Sequence, residues 1–473
     1  MKKLFFLPFI LLSLLSTGCK GKKDEFKDTT IAVFADVQLA NPTPHYTGHL
    51  RNHFKFCKEN NVDVIMMVGD IVNNSTEDYY DQFESTFKSV YGEDESTYPE
   101  FVYLMGNHEW WNLEEKVDGN AINLFNKHAR IDTKALVKRT SIETNERYTS
   151  YYPNYYKVVN GIPFIAISGE SHYGLLSYSL CDEIESWLKD ISKLPSVKKG
   201  GPIFVGYHYP IPELTYSFGE DAYEYACILD DILKNYPQAI LFTGHTHFSA
   251  INERTINQVN YTNINLGSSS YTCLASRSAT MLSYERYMNV RNNGTPDGQI
   301  RDGYDHTPTI NIVKVSTDRK TIINRYFSAS EPTKAINLGL EWAIPAYSNK
   351  DNFVYTRKRY QNTDWANLMY SKNGLEWKQD DDMSYKLNGS NLIVSFPDVI
   401  DYNYCEHYRV QIYDDNGEME KYDFISHYFK LDSEAHEYNF EIKNIPFDSI
   451  TRIEIYAFDF FDNISTNHLA KEI

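Results

Sequence analysis

The sequence lacks a surplus of positive charge. Across 473 residues, 46 Lys and Arg stand against 64 Asp and Glu, a formal net charge of −18. Proteins that hold long nucleic acid do so by neutralising phosphates with cationic side chains, so a nucleic-acid polymer is not expected as a partner. Small phosphorylated molecules, held by a local site, remain open. Cysteine is sparse: Cys19, Cys57, Cys181, Cys227, Cys273 and Cys405 are the only six, and none are closely spaced. That excludes a thiolate zinc site and a paired redox motif, and small buried thiols are the expected state, with some disulfides as the other reading. Beyond the N-terminus no run is long and apolar enough to cross a bilayer. There is no internal repeat.

The chain begins with an address. Lys2-Lys3 precede an apolar run from Leu4 to Leu15, followed by Ser16-Thr17-Gly18-Cys19. Charge, run length and small-residue exit predict a secretory signal peptide over residues 1–18. Small residues directly before a cysteine resemble a bacterial lipobox, which implies that Cys19 is lipidated and becomes the mature N-terminus. The expected location is then outside the cytoplasm, lipid-anchored to a bacterial membrane at its periplasmic face or at the cell surface. A plain signal peptide or uncleaved anchor is the other reading. Residues 19–28 carry a charged tether, Lys20 to Lys27, with no core-forming pattern.

A chain of this length exceeds one compact core and predicts at least two domains. The organising stretch is Val64-Ile65-Met66-Met67-Val68-Gly69-Asp70, an apolar run that ends abruptly in Gly-Asp. It reads as a strand buried on both faces that hands over to a loop. Ile31 to Ala35, Phe101 to Met105, Ile203 to Val205 and Ala239 to Thr243 repeat the event. Helical spacing lies between them over Leu50–Glu59, Glu77–Val90, Ser177–Leu194 and Ala222–Tyr236, which points to α/β architecture. Val158 to Ser168, broken by Asn160-Gly161, predicts a hairpin. Asn260–Leu266 and Ile310–Tyr326 read as closing strands. The polar stretch Ser268–Pro308 between them is long for a structureless loop, so a functional cover or partial disorder is expected there. After Glu331-Pro332 the period switches to two. Residues 331–388 read as linker plus extra strands, and residues 389–473 as a β-sandwich similar to a fibronectin type III or immunoglobulin-like module.

The strand exits carry the chemistry: Asp36-x-Gln38, Gly69-Asp70-x-x-Asn73, Gly106-Asn107-His108-Glu109, Gly206-x-His208 and Gly244-His245-x-His247. Carboxylate, amide and imidazole dominate, without thiolate. That donor mixture suits two hard-to-borderline divalent ions. Side chains two residues apart can turn toward one point as the backbone leaves a strand. A carboxylate is the group that bridges two cations with low strain, and Asp70 is placed to do so.

The series resembles the calcineurin-like metallophosphoesterase family, whose pattern is Asp-x-His, Gly-Asp-x-x-Asp, Gly-Asn-His-Asp/Glu, a lone His, then Gly-His-x-His. The resemblance covers roughly Ile31 to Tyr326. It implies a four-layer αββα sandwich over residues 29–330 and a dinuclear-metal phosphoesterase (phosphatase or phosphodiesterase) acting on small extracellular phosphate esters. By that resemblance Asp36, Gln38 and His247 bind one metal, Asn107, His208 and His245 the other, and Asp70 bridges. The metals would be Mn, Zn or Fe. A hydroxide shared by them would attack phosphorus in line. His108 would donate a proton to the leaving oxygen, and Glu109 would orient its neighbours. Trp110, Trp111 and Tyr209 follow site residues and are expected either to stack on substrate, at a base, sugar or lipid headgroup, or simply to wall the cleft or pack the core.

Two positions depart from the family pattern. Gln38 stands where the family has His; an amide oxygen is a poorer donor to a borderline ion, so weaker binding or a preference for Mn²⁺ over Zn²⁺ is expected. His45, His49 or His53 could substitute as ligand, with surface histidines as the other reading. Asn73 stands where the family has Asp, so an uncharged side chain is expected to accept from His108 and to leave its imidazolium less stabilised. Purple acid phosphatases, which are similar in pattern, place Tyr there to hold ferric iron; this chain has none at that position. The competing reading is a non-catalytic surface binding lipoprotein built on a phosphoesterase frame.

Overall fold

The computed structural model describes residues 26–40, 44–111, 118–129, 138–141, 151–212, 214–215, 223–247, 250, 252–270, 308–327, 336–337, 341–356, 374–400, 405–426, 437–447, 449–461 and 463–473. The expected signal segment, Cys19, Cys273 and the polar stretch after Ser270 lie outside them. Among the described residues no helix is long and apolar enough to cross a membrane, and Cys57, Cys181, Cys227 and Cys405 are free thiols.

The elements run β1 (Thr29–Phe34), α1 (Pro44–Glu59), β2 (Val64–Val68), α2 (Glu77–Tyr91), β3 (Glu100–Leu104), α3 (Asn107–Trp110), α4 (Asp118–His128), β4 (Lys138–Ser141), β5 (Tyr151–Val159) and β6 (Ile162–Ile167). They continue with α5 (Tyr178–Ile191), α6 (Pro195–Lys198), β7 (Ile203–Tyr207), α7 (Tyr223–Leu233), β8 (Ala239–Thr243), β9 (Ile256–Gln258), β10 (Thr262–Asn265), β11 (Thr309–Val315), β12 (Thr321–Phe327), β13 (Ile336–Asn337) and β14 (Trp342–Ile344). The remaining strands are β15 (Ser384–Asn388), β16 (Asn391–Pro397), β17 (Cys405–Tyr413), β18 (Met419–Ile425), β19 (Glu437–Ile442), β20 (Arg452–Asp459) and β21 (Leu469–Glu472).

Two sheets form the first unit. One has the order β13-β12-β11-β1-β2-β3, with β14 also on β12; the other runs β4-β5-β6-β7-β8-β10-β9. Pairing is parallel where the site will lie, in β1–β2–β3 and in β6–β7–β8–β10. Carboxyl ends of these strands therefore share one edge. Period-two alternation divides each strand between two cores. Ile31, Val33, Val64, Met66 and Val68 meet Phe164, Phe204, Ile240 and Phe242 between the sheets. Ala32, Phe34, Ile65 and Met67 face outward under α1, α2 and α4, through Leu50, Phe54, Phe83, Phe87 and Phe125. Leu180, Ile184 and Trp187 of α5 and Leu229 and Leu233 of α7 cover the other sheet. The result is the αββα sandwich, and each fully buried large apolar side chain contributes on the order of 1.5–3 kcal/mol to it.

Local signals fix the ends of these elements. Thr76 caps α2 by accepting the Tyr79 N–H, with Glu77 and Asp78 in the first turn, and Ser177 caps α5. Asn160 and Gly161 both take positive φ in the β5–β6 turn, as a tight hairpin requires. Helix α4 was not anticipated; its apolar stripe is short (Ala121, Ile122 and Phe125) and lies among Asn and Asp.

The C-terminal region is all β. A three-stranded sheet, β15-β16-β19, packs on a four-stranded one, β18-β17-β20-β21. Leu392, Val394 and Phe396 meet Tyr408, Val410, Ile412, Ile453 and Ile455 in its core. The sandwich starts ahead of the expected Gly389, because β15 pairs with β16 and Leu375 and Trp377 join its core. Upstream, β13 and β14 extend the first sheet past residue 330.

Candidate metal centre

The site is built where strands end. The backbone after β1 stays zipped to the backbone after β2: Asp36 N–H donates to the Gly69 carbonyl (3.1 Å), Gln38 N–H to Asp70 (2.9 Å) and Leu39 N–H to Ile71 (2.8 Å). In the second sheet, Gly244 N–H donates to the His208 carbonyl at 2.9 Å. Strand exits that were separate in sequence are thereby held side by side. Among the described residues, ten other than glycine have positive φ, and five of them are Asp36, Gln38, Asp70, His245 and His247. Left-handed backbone is costly for such residues and concentrates where a loop must aim a side chain.

Glycines make room for this convergence. A Cβ on Gly106 would run into the Asp70 carboxylate, and one on Gly244 into the carboxylate of Asp36. At Gly69 (φ +81°) a Cβ would stand 2.7 Å from His208 Nδ1. The Gly that opens each motif is therefore a spacing requirement as well as a turn residue.

The donors meet as follows. Asp70, His208 and His245 each offer a ligand atom within 4.8 Å of the others. His208 Nε2 is 3.1 Å from Asp70 Oδ2 and 3.9 Å from Asp36 Oδ1. His247 Nε2 is 3.2 Å from Asp36 Oδ1, and His245 Nδ1 is 2.9 Å from Asn107 Oδ1. Asp36, Asp70, Asn107, His208, His245 and His247 are thus brought together. A second group, Glu77, Asp81 and His128, also clusters on α2 and α4, but Glu77 is already paired with Lys127 and His128.

The donor set fits a metal. His208 donates from Nδ1 to the Val68 carbonyl at 2.8 Å, which selects the tautomer whose Nε2 lone pair faces the carboxylates. That Nε2 is buried and faces Asp70 Oδ2 at 3.1 Å without the alignment of a hydrogen bond, a placement that suits a ligand nitrogen sharing an ion with that carboxylate. Burial opposes charge on His208, yet the Asp70 and Asp36 carboxylates outweigh it and push its pKa up to about 10. Burial would raise the Asp70 pKa, but the imidazoles of His208, His108 and His245 hold it well below the carboxylate range. His245 goes the other way: burial and then the neighbouring His208 bring it down to about 3. Close carboxylates and imidazoles of this kind are what divalent cations collect.

His108 is oriented by the backbone. Its Nδ1 donates to the main-chain carbonyl of Asn73 at 2.9 Å, so the partner is not the Asn73 side chain expected from the sequence. Its own N–H donates to Asp70 Oδ1 at 2.9 Å. Gln38 takes an unanticipated position. Its Nε2 is 3.3 Å from His108 Nε2 and 3.3 Å from His247 Nε2, joining the two rings. Glu109 is fully buried and accepts from Asp70 N–H (2.8 Å), Gly106 N–H (2.8 Å), Ile71 N–H (2.7 Å) and the Tyr103 hydroxyl (3.1 Å). Burial and then Asp70 push its pKa up to about 7.

The remaining candidates separate by exposure. Trp110 is buried, with its indole N–H on the Ser168 carbonyl, and Tyr209 is buried with its hydroxyl on the His172 carbonyl. Trp110 packs in the outer core of the first sheet, and the Tyr209 ring packs 4.9 Å from that of His245. Trp111 is 43% exposed with its ring 4.4 Å from that of His108. His49 and His53 are neither surface residues nor members of the ligand group; both are buried on α1 and bond to Ser269. The side chain of His45 is outside the described residues. Sequence reasoning missed the carbonyls of Val68 and Asn73 and the Tyr103 hydroxyl, and no residue-type signal marks a carbonyl.

Residues 29–249 match the family described as calcineurin-like phosphoesterase. No curated protein matches the chain. Among solved structures, a dimetal phosphatase from Danio rerio is 11% identical with a TM-score of 0.38, over 68% of this chain and 99% of that one. GAP50, the anchor in the inner membrane complex of Plasmodium, is 14% identical with a TM-score of 0.41, over 69% and 92%. A cold-active protein-tyrosine phosphatase of a psychrophilic Shewanella is 13% identical with a TM-score of 0.23, over 67% and 82%. With the ordered motifs at the strand exits, the match makes residues 29–249 similar to the calcineurin-like phosphoesterase domain, of a family that hydrolyses phosphoesters at dimetal centres.

Proposed function

We propose that the protein is a dinuclear-metal phosphoesterase that hydrolyses small phosphate esters outside the cytoplasm, anchored through a lipidated Cys19. The observation that carries the catalytic reading is the convergence of Asp36, Asp70, Asn107, His208, His245 and His247 on one edge of the two sheets, with His108 beside them. Asp36 and His247 would hold one divalent ion, Asn107, His208 and His245 the other, and Asp70 would bridge. Bound there, the two ions would supply an activated water and neutralise charge on the phosphoryl oxygens. The protein's part is proton management and positioning. With Nδ1–H pinned on the Asn73 carbonyl, His108 presents Nε2 to the site, from which it can protonate a leaving oxygen. Gln38 lies between that ring and His247, in place of the imidazole the family has there. Trp111, the exposed aromatic beside His108, is the proposed platform for the group the phosphate is attached to. The C-terminal sandwich, with three strands against four, supports the fibronectin type III or immunoglobulin-like reading.

The test is turnover of a generic aryl phosphate and a bis-aryl phosphate after loading with Mn²⁺ or Zn²⁺, in wild type, Asp70→Asn and His108→Ala. The proposal expects hydrolysis of at least one ester, lost on removing metal, and reduced about 10²–10⁴-fold in His108→Ala. Wild-type protein that stays inactive and metal-free after loading would support the non-catalytic binding lipoprotein instead.

A further inference from the structure

Two adjacent charged side chains leave the loop behind His247 for different units of the protein. The chain makes one tight helical turn at Glu253–Thr255, capped by Asn252. Asn252, Glu253, Arg254 and Thr255 are all buried, which is rare for charged residues unless they are paired. Glu253 ties the loop to the first unit. Its carboxylate pairs with Arg325 of β12 and accepts the Trp342 indole N–H at 2.9 Å. Arg325 in turn donates to the Ala250 carbonyl at 2.7 Å and lies 3.9 Å over the Trp342 ring.

Arg254 ties the same loop to the C-terminal sandwich. Its Nη2 is 2.6 Å from Glu406 Oε1, and Asn252 Nδ2 donates to that oxygen at 3.1 Å. Asn252 Oδ1 also accepts the Arg254 N–H at 2.9 Å. Glu406 lies where the β17–β20 ladder breaks register, between Cys405 and His407. A bulge of this kind re-aims a side chain out of the ladder, and here the carboxylate is aimed at Arg254. Its second oxygen, Oε2, is held 3.1 Å from His407 Nδ1. Both carboxylate oxygens of Glu406 are thus used, and both charges are more than nine-tenths buried.

We propose that the C-terminal sandwich is a built-in part of the metal centre, in which the Glu406–Arg254 pair positions the loop that carries His245 and His247. Glu406 and Arg254 are positioning residues, since neither reaches the donor cluster. Residues 252–254, five to seven positions after His247 in sequence, are clamped from both sides, by Arg325 and Trp342 on one and by the sandwich on the other. A carboxylate buried and hydrogen-bonded at both oxygens holds one geometry, whereas a freely tethered module would hold none. The inference rests on the two-metal reading above.

The experiment is a calorimetric Mn²⁺ titration of the full chain, metal-free at the start, for wild type, Glu406→Gln and Asn252→Ala, with kcat and KM for an aryl phosphate. Glu406→Gln is expected to remain folded, to bind Mn²⁺ at least tenfold more weakly and to lose kcat with KM little changed. Asn252→Ala removes one neutral hydrogen bond to the same carboxylate and is expected to shift Mn²⁺ affinity in the same direction by a smaller factor; it decides the question if Glu406→Gln does not fold. Isotherms and kcat equal to wild type in the folded variants, with only the melting temperature lowered, would overturn the positioning role. Wild-type protein that takes up no Mn²⁺ would overturn the two-metal reading itself, and the inference with it.

Discussion

The carboxylate of Glu109 reaches back to accept the backbone N–H of Asp70 at 2.8 Å, with the Ile71 N–H on its other oxygen at 2.7 Å. A side chain from one strand exit thereby fixes the backbone of the next, and with it the direction in which the Asp70 carboxylate points. Nothing polar in that contact faces solvent, since Glu109 and Asp70 are both buried.

Replacing Glu109 by Gln keeps the shape but turns one accepting oxygen into a donor that faces backbone N–H groups. The expected loss is about 3 kcal/mol of stability, because buried donors are left unsatisfied. Thermal unfolding of metal-free Glu109→Gln checks this; a melting temperature equal to wild type would show that the carboxylate does not hold the loop.

Asn73 separates what residue type suggests from what geometry does. The sequence places an uncharged amide where relatives carry a carboxylate, but His108 Nδ1 bonds to the Asn73 main-chain carbonyl. Asn73→Ala is therefore expected to retain kcat within about tenfold of wild type, under ~1.4 kcal/mol in barrier. Steady-state kinetics on an aryl phosphate measure it, and a loss as large as that of His108→Ala would return the role to the side chain.

Protonation of His208 gives a signed pH dependence. Its pKa in the metal-free protein is pushed up to about 10 against burial, by Asp70 and Asp36. A raised folded-state value stabilises the fold fully below the unfolded value of about 6.5, and that stability is lost as pH rises through the folded one. The metal-free melting temperature is expected to fall between pH 6.5 and 10. Metal requires the neutral ring, so loading at pH 7.5 should release a proton. Calorimetry in buffers of different ionisation enthalpy counts it; zero release would contradict His208 as a ligand.

Gln38→His would restore the imidazole of the family pattern between His108 and His247. Zn²⁺ affinity is expected to rise roughly tenfold, ~1.4 kcal/mol, because imidazole is the better donor to a borderline ion. Competition against a fluorescent chelator reads the change. Unaltered affinity would place Gln38 outside the donor set and leave it only as the link between the two rings.

Much of the site was legible because it is made by side chains at strand exits, and buried strands announce themselves as apolar runs. Asp36, Asp70, His208 and His245 were found that way. Four features were not legible. The Asn73 carbonyl carries no residue-type signal. Gln38 could be placed at the site, but its contact with both rings depends on a left-handed backbone that sequence does not reveal. His49 and His53 looked like surface residues because α1 is polar along much of its length, yet both reach Ser269 from a buried face. The Arg254–Glu406 pair spans about 150 residues of sequence, and no local pattern joins its partners.

The central claim is that one edge of the two sheets holds two metal ions through a shared Asp70. Its most direct test is metal stoichiometry of the purified chain after Mn²⁺ loading and removal of free ion, in wild type and Asp70→Asn. The account predicts two ions per chain in wild type and loss of tight binding at both positions in Asp70→Asn. A wild type with no bound ion, or an Asp70→Asn chain that keeps both, would contradict it.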